Sequence, residues 1–69
     1  MTLQEVLFFR VKAEGEWFHE LKLQNLQDGW NASRALETAQ AEARYWSLYQ
    51  VLEEAELEEA FWRWMESGE

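Results

Sequence analysis

The chain has no cysteine, no proline and a single histidine among its 69 residues. Without Cys there is no disulfide framework and no thiol chemistry, and one His cannot complete a zinc site alone. Those absences matter because a domain this short buries only about 60 per cent of the surface its unfolded chain exposes. The usual supports are disulfides, a structural metal or association. Association is the one left open, either with a second copy or with another protein. Long hydrophobic runs are also missing. Val6 to Phe9 is among the longest, against the roughly 20 residues of a membrane helix. The N-terminus lacks a basic segment followed by an apolar stretch, so a cytoplasmic location and no membrane contact are expected.

Positive charge is scarce too, with six Lys and Arg against fourteen Asp and Glu. Direct binding to nucleic-acid phosphate is disfavoured by that balance, and a protein partner with a basic surface is favoured. Half of the acids lie from Glu53 onward, where Arg63 is the single basic residue. Aromatics are the opposite case. Five Trp, four Phe and two Tyr are far more than an acidic disordered segment carries, so one small folded domain over 1–69 is expected.

Residues 6–24 read as a β-hairpin. Apolar side chains fall on alternate positions at Leu7, Phe9, Val11 and Ala13, then at Trp17, His19, Leu21 and Leu23. A loop of Glu14, Gly15 and Glu16 sets both halves on one face and places Arg10 opposite Glu20. The competing reading is a helix from Thr2, whose spacing to Glu5 is that of a capping box. Asp28 and Gly29 signal a turn, and Asn31 suits a helix N-cap. Asn31, Ala32 and Ser33 also spell a glycosylation sequon, which has no use in a cytoplasmic chain.

Between Asn31 and Glu66 there is neither Gly nor Pro, and Ala, Leu, Glu, Gln and Arg dominate, so 31–66 is expected to be helical. At 100° per residue Ala32, Leu36, Ala39, Ala43 and Trp46 share one side, while Tyr45, Leu48, Tyr49, Leu52 and Ala55 face nearly the opposite way. A straight helix of this length would span about 50 Å, against a radius of gyration of about 11 Å for a compact chain of this size. Either it breaks near Glu53 to Glu56 or it stays long and pairs with a second chain. The absence of Gly, Pro, Asn or Ser at the break favours the long or gently bent form. The fold class expected is therefore α+β, a hairpin followed by one long helix or two, with an all-α helical-hairpin dimer as the alternative.

No catalytic, cofactor or metal motif is present. His19 has no second His and no Cys nearby, Ser33, Thr38 and Ser47 lack a base, and carboxylates four apart such as Glu54 and Glu58 are routine on a helix. A non-enzymatic protein is expected. Ala32, Ala35, Ala39 and Ala43 form a narrow face that could receive Phe9, Trp17 and Leu21 or another helix. Among Phe61, Trp62, Trp64 and Met65, Trp62 points about 100° away from Phe61 and about 160° away from Trp64, so one core cannot hold all four. Aromatics and Arg dominate binding hot spots. The expected partner surface therefore comprises Tyr45, Tyr49, Trp62 and Trp64 within the negative field of Glu53, Glu54, Glu56, Glu58 and Glu59, and Leu48, Leu52 and Ala55 are assigned to a homodimer interface. The alternatives are an acidic nucleic-acid mimic that blocks a DNA- or RNA-binding enzyme, and a purely structural self-assembling subunit. In size and charge the chain is similar to small antitoxin and phage-encoded inhibitor domains, although no residue motif carries that likeness.

Overall fold

The computed structural model describes residues 1–67, and among them there are three helices and no strand. Helix α1 spans Leu3–Asp28, α2 spans Ala32–Glu54 and α3 spans Glu58–Glu66. The expected α+β fold is overturned, since residues 6–24 lie wholly within α1. Thr2 decides the start. Its hydroxyl accepts from the Glu5 N–H at 3.1 Å while the Glu5 carboxylate accepts from the Thr2 N–H at 3.2 Å, which closes the capping box. The alternation that mimics a strand arises because apolar residues stand on more than one side of α1. Phe8, Val11, Leu21 and Asn25 face inward, and Leu3, Val6, Phe9, Trp17 and Leu23 are left outside.

Helices α1 and α2 form an antiparallel hairpin. Gly29 ends α1 at a φ of 83°, its N–H bonded to the Asn25 carbonyl at 2.9 Å, and the Asn31 side chain accepts from the Arg34 N–H at 2.9 Å to start α2. Arg34 reaches back across the turn to Asp28 at 3.0 Å. The inward positions of α2 include Thr38, Ala41, Tyr45, Leu48 and Leu52, a three-and-four spacing that lays one seam along α1. Phe8, Val11, Leu52 and Phe61 make the core. Each such side chain stabilises the fold by about 1.5 to 3 kcal/mol through burial. Ala32, Leu36, Ala39, Ala43 and Trp46 are exposed, so the larger aromatic and leucine face of α2 wins the core and the alanine face stays outside.

The α2 helix does not run on or bend. It stops at Ala55, Glu56 takes a φ of 59°, and α3 folds back. The Leu57 N–H bonds the Leu52 carbonyl at 2.8 Å and the Glu56 N–H bonds the Glu53 carbonyl at 3.1 Å, the paired closure of a Schellman turn. Leu52 is buried and Leu57 packs against the same core, which supplies the apolar clasp that accompanies this turn. The sequence hides the break because a Glu stands where Gly is usual. Seven residues near the end of α2 and the start of α3 include five glutamates, and Glu53 and Glu54 lie at a helix C-terminus, where the dipole opposes negative charge.

Two predictions follow from these contacts. Glu56→Gly relieves the left-handed backbone and should raise stability by about 1 kcal/mol, read from the urea midpoint. Buried Asn25 donates to the Thr38 hydroxyl at 2.8 Å, which in turn donates to the Arg34 carbonyl at 2.8 Å. Thr38→Val strands the Asn25 amide and should cost about 1 to 3 kcal/mol, while Asn25→Leu with Thr38→Val should recover most of that loss. An equal loss in the double variant would show that the pair contributes by shape alone.

Candidate functional site

Folding back at Glu56 places α3 across one side of the hairpin. Phe61 is enclosed, edge-on to Phe8 at 5.5 Å and to Tyr49 at 6.4 Å between ring centroids. Trp64 follows it inward, 5.6 Å from Phe8 and 4.8 Å from Phe9, with the Lys12 ammonium 5.9 Å from its ring. The neighbour Trp62, one step round the helix, is turned out and remains 45% exposed. Its indole N–H donates to the Tyr49 hydroxyl at 2.9 Å. The ring is therefore both presented and held.

Trp62 closes a row of aromatics. Tyr45 and Trp46 lie 5.1 Å apart, Trp46 and Tyr49 5.8 Å, and Tyr49 and Trp62 6.2 Å. Trp46 is 52% exposed, whereas Tyr45 and Tyr49 are half-buried. Beside the row runs an apolar groove of about 390 Å³, lined by Gly15, Phe18 and His19 on α1, Tyr45 on α2 and Trp62 and Met65 on α3. That volume lies near the lower end of the range for small-molecule sites. Gly15 lets the Tyr45 ring lie close against α1, since a Cβ there would fall 2.9 Å from a Tyr45 ring carbon. His19, expected on the apolar face of a strand, is an exposed residue at the groove's edge.

The sequence-expected residues divide. Tyr45, Tyr49 and Trp62 are brought together, and Trp64 belongs to the core. Glu53, Glu54, Glu56 and Glu59 are exposed along the α2–α3 corner, Glu58 is half-buried, and Glu59 pairs with Arg63. Leu52 is fully buried in the chain's own core and Leu48 packs against it, which leaves Leu52 no surface for a second chain. Ala55 is exposed at the corner. Trp46, Gly15 and Phe18 were missed as surface partners. The three-and-four spacing of Thr38, Ala41, Tyr45, Leu48 and Leu52 was the signal that would have turned Trp46 outward.

Among the described residues no cluster of His, Cys, Asp or Glu could hold a metal ion, and no helix is long and apolar enough to cross a membrane. Comparisons with protein-family models, curated proteins and solved structures find no match.

Burial lifts the Tyr45 phenol above the ordinary value of 10.0, and neighbouring Tyr49 adds to the rise. A phenol whose folded pKa is raised keeps its proton more tightly in the native state, so its contribution is intact below the unfolded value and is lost as pH climbs through the folded one. The urea midpoint should therefore fall as pH rises above the ordinary phenol value of 10.0, and less steeply in Tyr45→Phe. Identical slopes in the two proteins would show that Tyr45 ionises freely.

Proposed function

We propose that the protein is a non-enzymatic binding module, self-associating and cytoplasmic, that modulates another protein by seating an apolar segment of it against the Trp46, Tyr49 and Trp62 row. The observation that carries this reading is the row itself. Aromatics that are half exposed, mutually packed and fixed by a hydrogen bond offer large contact area at small entropic cost. The net charge of −8 favours a partner segment rich in Lys and Arg, and it acts on the rate of encounter more than on final affinity.

The acid cluster from Glu53 to Glu59 supports a second reading, in which these carboxylates imitate phosphates before a nucleic-acid-binding enzyme. Salt separates the two. Affinity capture from the source cell should retain a specific protein on the wild type and lose it on Trp46→Ala with Trp62→Ala. Its affinity should weaken only slightly between low and moderate ionic strength. Capture that ignores the two Trp residues but collapses with salt would replace the first reading by mimicry, and a partner indifferent to both would sink each of them.

A further inference from the structure

The segment from Ala32 to Glu66 has no Gly and no Pro, yet it is folded back on itself. Glu53, Glu54, Ala55, Leu57 and Glu58, which surround the bend, are good helix formers. Two features of the bend work against it. Glu56 holds a φ of 59°, a conformation that its Cβ makes costly. Leu57 stands at the N-cap position of α3, and its apolar side chain can accept nothing from the first N–H groups of that helix. A continuous helix removes both faults, because the carbonyls of Glu54, Ala55 and Glu56 would then accept from the N–H groups of Glu58, Glu59 and Ala60. What holds the bend is the seat of α3. Phe61 lies edge-on to Phe8 at 5.5 Å, Trp64 stands 4.8 Å from Phe9, and Leu57 packs on the same core.

A second copy can fill that seat without the bend. We propose that two chains exchange their third helices, each α2 running on into α3 and each α3 docking on the hairpin of the other chain. Fit selects this occupant. The seat formed by Phe8, Val11 and Leu52 is matched to this helix, and the α3 of a second copy restores every contact that the closed chain makes there. Only the hinge changes. The exchange therefore needs no new complementary surface, and relief of Glu56 and the added helical hydrogen bonds are set against the freedom lost on association. The hinge also imposes a charge condition. Two hinges must pass each other, and each brings Glu53, Glu54, Glu56, Glu58 and Glu59, so the pair is resisted at low salt and released by screening.

The exchange rests on the self-association in the proposed function and gives it a form, since Trp62 of one chain would complete the aromatic row of the other. The test follows the full chain by sedimentation across a concentration series at low and moderate salt. Alongside it, NOE spectra are taken of a dimer refolded from mixed isotope-labelled and unlabelled chains. The wild type should dimerise, more tightly at moderate salt, and the NOE between the Phe8 and Phe61 rings should run between chains. Glu56→Gly frees the turn of strain and weakens the straight helix, so it should raise the dimer Kd by about thirtyfold or more, both hinges counted. A wild type that is monomeric throughout, a dimer whose Phe8 to Phe61 NOE stays within one chain, a dimer that loosens as salt rises, or a Kd unmoved by Glu56→Gly overturns the proposal. Failure of the aromatic-row reading shows separately, as absent capture of a foreign protein by a chain whose interchain NOE is present.

Discussion

Everything on this protein's surface depends on the insertion of Phe61 between the two long helices. A hairpin of two helices has one seam and little interior, and only when α3 turns back at Glu56 do Phe8, Val11 and Leu52 acquire a cover. The same rotation that sends Phe61 inward sends Trp62 outward, because adjacent helical residues differ by about 100°. Core and candidate binding surface are thus two sides of one short helix. The apolar clasp of Leu52 and Leu57 sets its direction.

The molecule remains extended, with a radius of gyration of 13.7 Å against about 11 Å for a compact chain of this length. Its long dimension of 39 Å is the length of α1, 26 residues at about 1.5 Å each. So many apolar residues on so slender a body cannot all face inward. Leu3, Leu26, Trp30, Leu36, Trp46 and Trp62 are exposed, and that surplus is the physical reason for expecting company.

Part of this was legible in the sequence. Asn31 as a cap, the turn at Gly29 and the outward Trp62 follow from local chemistry and helical angles. The first third misled because two apolar stripes on one helix also satisfy a two-residue alternation, and Gly15 looked like a loop rather than the bed of the Tyr45 ring. The break at Glu56 was hidden for a different reason. Its signal lies in the pairing of Leu52 with Leu57, and the residue that adopts the left-handed backbone has no local preference for it. The face of α2 that enters the core could be chosen only by weighing side-chain size against the attraction of a smooth alanine stripe.

At nine residues, α3 is shorter than the roughly 12 to 15 that an isolated helix needs to persist in water. It is helical because Phe61 and Trp64 are docked, and when they leave, its hydrogen bonds have nothing to hold them. The opening of this one segment is therefore a local equilibrium of lower free energy than unfolding of the hairpin. Trp62 joins the aromatic row of α2 only in the closed state. A ligand gripping Trp62 and Tyr49 together would tighten α3 onto the hairpin, and its apparent affinity would carry the cost of every molecule in which that short helix was undone.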